Sequence, residues 1–328
     1  MADQRNQVNI PANLVPKVWA KKVWHEGVKD SYFDKFTAMD GSNVVHQNKD
    51  LTNVKGDSVV FGLMMNLTGS GVEGNRQKLS GSEDTLNIYD FTVQTQLVRN
   101  AVSRFEADDQ KTQYDMLKEI KGALKQWLSD WLDNKLISKL SATPTSNDEA
   151  VYASASGTQA SITANDKLTT TIISRAKRKA MMHAPKVQPI KVDGMDKYIM
   201  LISPWAARDL KDDPKWLAAQ QSANVRGSKN PIFTGALGEY DGVILYEYER
   251  VANTAAGASS ANVCHNLLLG KQAACFAVAR PAKHIEQMDD YGNIAGNGIA
   301  FYGAVENTRF NSKDYGFIHV LTGGAVER

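Results

Sequence analysis

Residues 51 to 140 constrain this chain more than any other stretch, because they pair a long two-stranded arm with an unusually long amphipathic helix. In the segment from Val59 to Thr68, the residues Val59, Phe61, Leu63, Met65 and Leu67 are all apolar at every second position. That period of two marks a strand with one buried face. The return strand, roughly Leu86 to Val98, repeats the alternation at Tyr89, Phe91, Val93 and Leu97. Between them lies a tip of glycine, serine and charge with almost nothing to bury. A lone hairpin is marginal in water, so the arm is expected to lie on something else, and in a chain without a ligand signature a neighbouring subunit is the natural support. The inter-subunit contact is therefore assigned to Val59, Phe61, Leu63, Met65 and Leu67 with the tip residues Gly69, Gly71, Gly74, Arg76 and Lys78.

Gly69, Gly71 and Gly74 also spell GxGxxG. The dinucleotide fingerprint requires a helix directly after the glycines, so that the helix N-terminus faces the pyrophosphate. Asn75 to Asp84 has no helical periodicity. Glycines that allow positive φ in a hairpin tip are the preferred reading.

Glu106 to Leu140 is expected to form one helix of about 35 residues, roughly 50 Å long at ~1.5 Å per residue. Its apolar stripe runs through Leu117, Ile120, Leu124, Trp127 and Trp131, then Leu132, Leu136 and Leu140. A coiled coil would show the same spacing, but this stripe lasts few heptads and lies between sheet elements, so a buried structural spine is expected.

Upstream, Pro11 and Pro16 punctuate an extended start. Val18, Trp19, Val23, Trp24 and Val28 then recur at helical spacing, continued by Tyr32, Phe33 and Phe36. A helix packed on protein is preferred over a membrane-surface helix. Downstream, Ser141 to Ala164 reads as a Ser/Thr/Ala-rich loop. Asp166 to His183 is predicted to be helical with Asp166 as its N-cap. This helix carries Arg175, Lys177, Arg178 and Lys179, a basic patch that either faces nucleic acid or decorates a solvated helix end. Further on come a buried strand at Tyr198–Ile202, a helix capped by Ser203 with Pro204 in its first turn, and a break at Asp212-Asp213-Pro214. Strands follow at Val243–Tyr248, Leu267–Leu269, Ala273–Ala279 and within Gly298–Val320.

The 38 basic and 36 acidic residues nearly cancel, which argues against a dedicated nucleic-acid binder. No apolar run approaches the ~18 residues that cross a bilayer, so no membrane partner is expected. The start, Met1 to Gln7, lacks a signal-peptide core. Cys264 and Cys275 lie in strand-like sequence and suggest no disulfide framework. Metalloprotease, zinc-ribbon, nucleophile-elbow and Walker motifs are missing from the sequence. His284, Glu286, Asp289 and Asp290 form the one dense set of oxygen and nitrogen donors, with spacing unlike a calcium loop. No catalytic residue, cofactor or metal is assigned.

The order of several short segments then becomes informative. Leu14–Val23, Gly56–Phe61, Leu67–Val72 and Arg99–Val102 are followed by Leu201–Pro204, Asp212–Trp216 and Gly238–Val243. In that order, and over nearly the whole chain, the sequence resembles the major capsid proteins of tailed double-stranded DNA phages, most closely those of the N-four-like podoviruses. The resemblance implies an α+β chain with the Hong Kong-type capsid fold. It places an N-terminal arm and helix at 1–50 and an extended loop at 51–104. A peripheral domain would comprise 105–142 and 281–328, and an axial domain 143–280. It further implies self-assembly through hexamers and pentamers into an icosahedral virion shell, formed in the host bacterial cytoplasm. The expected partners are a separate scaffolding protein, a portal, a decoration protein and packaged DNA bound without sequence specificity. No long extension precedes the arm, so no cleaved scaffolding segment is expected. An encapsulin-like cargo shell and a soluble nucleotide-binding enzyme are the competing readings.

Overall fold

The computed structural model describes residues 31–49, 56–65, 67, 69, 71–74, 80, 81, 83–111, 115–192, 194–222 and 237–324. The apolar helical pattern at Val18–Val28 lies outside them, as do Arg76 and Lys78.

The described chain opens with a short turn at Asp34–Phe36 that buries Phe36, then two short strands, β1 (Thr37–Ala38) and β2 (Val45–Asn48). The arm follows as β3 (Ser58–Met64) and β4 (Ile88–Gln94), shorter than its alternation suggests. Next come β5 (Gln96–Phe105), α1 (Glu106–Lys111) and α2 (Met116–Leu140). The expected single helix from Glu106 is thus two. Its first ten residues, EADDQKTQYD, hold too little apolar surface to tie them into one stripe. At 25 residues α2 spans about 38 Å.

Within the Ser/Thr/Ala-rich region lies β6 (Ala150–Tyr152), preceded by a turn that Ser146 and Glu149 close as a capping box. Helix α3 (Thr170–Met182) starts four residues later than expected. Asp166 is not its cap: its carboxylate instead accepts from the Thr163 N–H and hydroxyl, at 2.7 and 2.9 Å. The cap comes from far along the chain, where Asp213 Oδ2 accepts from Thr170 N at 2.8 Å and Thr170 Oγ1 at 2.9 Å. Strands β7 (Ile190–Val192) and β8 (Met195–Ile202) lead to α4 (Pro204–Lys211) and α5 (Pro214–Ser222). As expected, Ser203 caps α4, accepting from Ala206 N at 3.2 Å with Pro204 in the first turn.

Asp213 also accepts from Lys215 N at 3.1 Å, so one carboxylate serves the starts of both α3 and α5. Burial opposes its charge, but the donors of Thr170 and Lys215 outweigh it and hold the carboxyl below its ordinary range. Asp213→Ala is expected to lower stability by about 1–2 kcal/mol, the upper range for a lost cap. A denaturant titration showing no shift in midpoint would contradict this role.

The remaining elements are β9 (Gly238–Tyr240), β10 (Val243–Glu247), β11 (Asn253–Thr254), β12 (Val263–Leu269) and β13 (Ala274–Asp289). They are followed by β14 (Ile294–Asn307), β15 (Arg309–Phe310), β16 (Lys313–Asp314) and β17 (Phe317–Gly323). Asp241 and Gly242, both at positive φ, make the tight turn between β9 and β10.

These strands form an eight-stranded sheet with the path β6-β17-β12-β8-β10-β9, onto which β11 and β7 pair. A five-stranded sheet has the order β1-β2-β13-β14-β5, and the arm β3-β4 is a separate two-stranded sheet. The chain divides into two compact units. The larger comprises the described parts of 31–98, 128–282 and 301–324 and contains the eight-stranded sheet. On one face of that sheet α3 and α4 bury Ile173, Ala176, Ala206 and Leu210 against Met200, Leu268 and Ile318. On the other, Leu136, Ile137 and Leu140 of α2 pack with Leu201, Leu267 and Phe317. In the same unit Asp133 of α2 anchors the first described residues, accepting from Ser31 Oγ at 2.6 Å and Tyr32 N at 2.8 Å.

The smaller unit comprises 99–127 and 283–300 among the described residues. Here the start of α2 buries Ile120 and Leu124, while Leu117 and Trp127 are half-buried. In the larger unit Trp131 is likewise half-buried. The fully buried line on α2 is Ile120, Leu124, Leu128, Leu136 and Leu140, at steps of four or eight. Both tryptophans flank this line rather than form it, which corrects their assignment to the spine core.

Candidate assembly surface

The arm is built by strict cross-strand pairing. Val59↔Val93, Phe61↔Phe91 and Leu63↔Tyr89 share one face, and Val60↔Thr92, Gly62↔Asp90 and Met64↔Ile88 share the other. Support for the first face comes partly from the chain itself: Val59, Phe61 and Val93 pack on Cys275, Ala277 and Ala304. The Phe61 ring lies 5.3 Å from His46, and Phe91 lies 6.3 Å from Phe310. A single residue, Thr95, separates β4 from β5; its N–H and its hydroxyl both donate to Asp57 O at 2.8 Å. The root of the arm is thereby fixed within its own chain.

Farther out that support ends. Leu63 and Met65 are half-buried and Leu67 is exposed. On the opposite face Val60, Met64 and Ile88 are 62%, 64% and 63% exposed. Of the residues assigned to an inter-subunit contact, Val59 and Phe61 are thus occupied internally, whereas Val60, Met64 and Ile88 stand open and were passed over because the alternation argument follows one face only. Three apolar side chains left in water on one strip forgo about 1.5–3 kcal/mol each relative to burial, and such strips mark interaction sites.

At the tip Gly69 N donates to Asp84 Oδ2 at 2.6 Å, tying the two sides together. Gly71 and Gly74 take positive φ, as a glycine turn requires. The arm carries Asp57, Glu73, Glu83, Asp84 and Asp90 and, among its described residues, no Lys, Arg or His.

The basic patch on α3 is partly spoken for. Lys177 Nζ pairs with Asp241 Oδ1 at 2.8 Å. Lys179 Nζ donates to the carbonyls of Asn147 and Ala150 at 2.6 and 2.7 Å. Desolvation lowers the Lys179 pKa from its ordinary value. Arg175 and Arg178 are exposed.

The acidic residues near Asp289 do not converge. Glu286 pairs with Lys121 at 2.8 Å, and His284 lies 3.6 Å from Glu286. Asp289 and Asp290 serve the hairpin turn through Asp290 N and Asn293 Nδ2. Among the described residues no three His, Cys, Asp or Glu side chains form a metal-binding group. Cys264 and Cys275 are buried and free, and burial pushes the Cys275 thiol up to about 11, where it is inert.

This arrangement of arm, long helix and two sheets is the Hong Kong-type fold of phage shells. The capsid chain of Ralstonia phage GP4 superposes with a TM-score of 0.82 at 25% identity, covering 99% of both chains. The capsid of cyanophage Pam1 gives 0.85 at 23% identity over 98% of this chain and 100% of that one. The major capsid protein of Pseudomonas phage KPP25 is 26% identical, covering 92% of this chain and 93% of its own length. The phage capsid protein family model matches residues 12–153 and 142–325, and the chain belongs to that family. It is a structural protein of the virion, assembled from copies of itself, and not an enzyme. The matches reach the capsid family without singling out its N-four-like branch, and they favour neither a cargo shell nor a nucleotide-binding enzyme.

Proposed function

We propose that the chain is the major capsid protein of a tailed phage, closing through hexamers and pentamers into an icosahedral shell around double-stranded DNA. The observation that carries this reading is the apolar outer strip of the arm, Val60, Met64 and Ile88, standing open beside a root fixed within the chain. A rigid arm that leaves one face uncovered favours a heterologous contact, repeated head to tail until a ring closes. On this reading 51–104 is the extended loop crossing the neighbouring subunit and 1–50 the N-terminal arm. Residues 105–142 with 281–328 form the peripheral domain and 143–280 the axial domain. A scaffolding protein, a portal and a decoration protein complete the particle, which is assembled in the host bacterial cytoplasm. With charge nearly balanced, the genome is held by enclosure rather than tight phosphate contacts, and Arg175 and Arg178 are the part of the α3 patch left to face it.

Light scattering with negative-stain microscopy tests the reading. Closed shells or five- and six-fold rings are expected from the chain alone or co-expressed with its scaffolding protein. A monodisperse monomer under both conditions would refute it. Met64→Asp is expected to leave the fold of the monomer intact while raising the concentration needed for assembly at least about tenfold, since each 1.4 kcal/mol of contact is a factor of ten. Unchanged assembly would remove Met64 from the interface.

A further inference from the structure

A small hydrophobic cluster lies apart from the two large ones of the eight-stranded sheet. It consists of Ala150, Ile162, Val263 and Leu321, with Tyr152 packed against it. Two loops meet here. One runs over 153–163, with a turn at Gln159–Ser161; the other runs over 252–262, with β11 and a turn at Ala258–Ser260. Ile162 of the first loop belongs to the cluster, and Ala258 N of the second donates to Ile162 O at 2.8 Å. A Cβ on Gly257 would stand 2.5 Å from that same oxygen, so the two backbones are in contact. The second loop also holds Ser259 and Ser260 at positive φ, a conformation that side chains rarely adopt. Its strand β11 pairs with β12 through Asn253↔Cys264 and Thr254↔Val263 alone, beyond the stretch Leu267–Leu269 that β8 pairs with on the same edge.

One side chain of the sheet ties down both loops. His265 Nε2, on β12, lies 2.9 Å from Thr254 Oγ1 of the second loop and 3.4 Å from Gln159 Nε2 of the first. A neutral ring accepts from both donors at that nitrogen. Its Nδ1 is buried without a hydrogen-bond partner among the described residues. We infer that His265 is an acid-operated latch: a proton on its ring frees the two loops together and bares the edge of β12 with the small cluster, while the rest of the sheet stays folded. The latch sits within one subunit and operates whether or not a shell forms. A charged ring carries N–H on both nitrogens. The Thr254 hydroxyl can turn to accept, but Gln159 still presents its own N–H groups and Nδ1 gains no acceptor. The surrounding elements offer the charge no relief. Tyr152 of β6 stands in the same row across Leu321, and His319 of β17, one step along, repels it. Asp314 lies beyond His319, 3.5 Å from its Nε2, and Arg250, ahead of β11, is turned to Asp130 of α2. Burial thus holds the ring down at about 4 in the closed loops, against ~6.5 in water, so opening takes up a proton. A cluster separate from the main core lets such an opening stay local, and the bared strand edge offers unpaired backbone groups.

Hydrogen exchange of the full chain tests the latch, read by mass spectrometry between pH 7 and pH 5 and corrected for the intrinsic pH dependence of exchange. Peptides from 153–163 and 252–262 are expected to lose protection together by about twentyfold, the factor that follows from ~6.5 open against about 4 closed. Leu267–Leu269, held between β8 and β17, is expected to stay protected. Loop exchange that tracks Leu267–Leu269 at each pH, or loop protection indifferent to pH, would overturn the inference. In His265→Gln the acid dependence of the loops should disappear; its persistence would show that another group operates them. Thr254→Val removes one donor without touching the ring and is expected to open the loops already at pH 7. Unchanged loop protection in that variant would equally overturn the latch, and it decides the case in which His265→Gln does not fold.

Discussion

Asp314→Ala is expected to lower the stability of the unassembled chain by about 3 kcal/mol, the lower end for breaking a buried ion pair by removing one partner. Asp314 is 2% exposed and sits on β16 at the junction of four segments. Its carboxylate accepts from Arg309 Nε at 2.8 Å, Asn307 Nδ2 at 3.0 Å and Thr145 Oγ1 at 3.3 Å. Its own N–H donates to Glu149 Oε1 at 3.1 Å, and the other oxygen of Glu149 holds Ser146 N at 3.0 Å. Removing the carboxylate strands Asn307, which is buried, while Arg309 is exposed enough to recover water. That asymmetry is why the lower end of the range applies. His319 Nε2 lies 3.5 Å from Asp314 Oδ2 and, like Asp314, is buried.

Burial pushes the Asp314 carboxyl up, but the contacts with His319 and Arg309 outweigh it and the net direction is down. The stabilisation is therefore complete above the ordinary aspartate range and is lost as pH falls through the lowered folded value. Asp314→Asn keeps an acceptor for Asn307 or Thr145 and should cost less than alanine. Equal losses in the two variants, measured by urea titration at pH 7, would show that the network contributes no more than packing.

The second large effect is acid sensitivity from His265. Its side chain lies on β12 with Nε2 2.9 Å from Thr254 Oγ1 and 3.4 Å from Gln159 Nε2, and the residue is 6% exposed. No carboxylate contacts it at those positions. Desolvation, with a smaller repulsion from His319 on the adjacent strand, pushes the imidazole down to about 4. The unfolded chain binds its proton near 6.5, so between those values the unfolded state holds more protons than the folded one. The stabilisation is whole above pH 6.5 and drains away as the pH falls to about 4. At ~1.36 kcal/mol per unit this amounts to about 3 kcal/mol. His265→Gln should reduce the stability difference between pH 7 and pH 4 by that amount. An unaltered difference would mean that the site hydrates on protonation and that acid acts elsewhere.

Much of the architecture could be read from local pattern, and the exceptions have physical causes. The arm announced itself because Val59, Phe61, Leu63 and their partners alternate without interruption, and the Ser203-Pro204 cap because its signal is complete within four residues. By contrast β5 escaped notice: both of its faces carry polar residues, so no period stands out. Only the first third of β13 was expected, since its exposed part from Arg280 onward loses the apolar run. Trp127 and Trp131 were placed at the spine core because they fit a three-four stripe. A line of residues four apart instead drifts about 40° per step around a helix of ~3.6 residues per turn, which carries those two rings to its flank. The true cap of α3 was invisible for another reason, as Asp213 reaches it from 43 residues downstream. The arm was legible as an arm, but which of its faces the chain itself would cover was not. Alternation identifies which residues can be buried, and here the chain's own β13 and β14 took part of that face, leaving the other open.

The positions of the last strands bear on when a chain becomes competent to assemble. β17, ending at Gly323, is an interior strand of the eight-stranded sheet, held between β6 and β12. β2 near the beginning pairs in parallel with β13, as Val45↔Ala274 and His46↔Cys275, and the arm root packs on that same strand. Contacts so distant along the chain form late. A nascent chain emerging from the ribosome therefore holds its arm without a platform until nearly all of it has been synthesised. Association through the arm of chains that still lack β13 and β14 is therefore disfavoured, since the arm root then has nothing of its own to pack on.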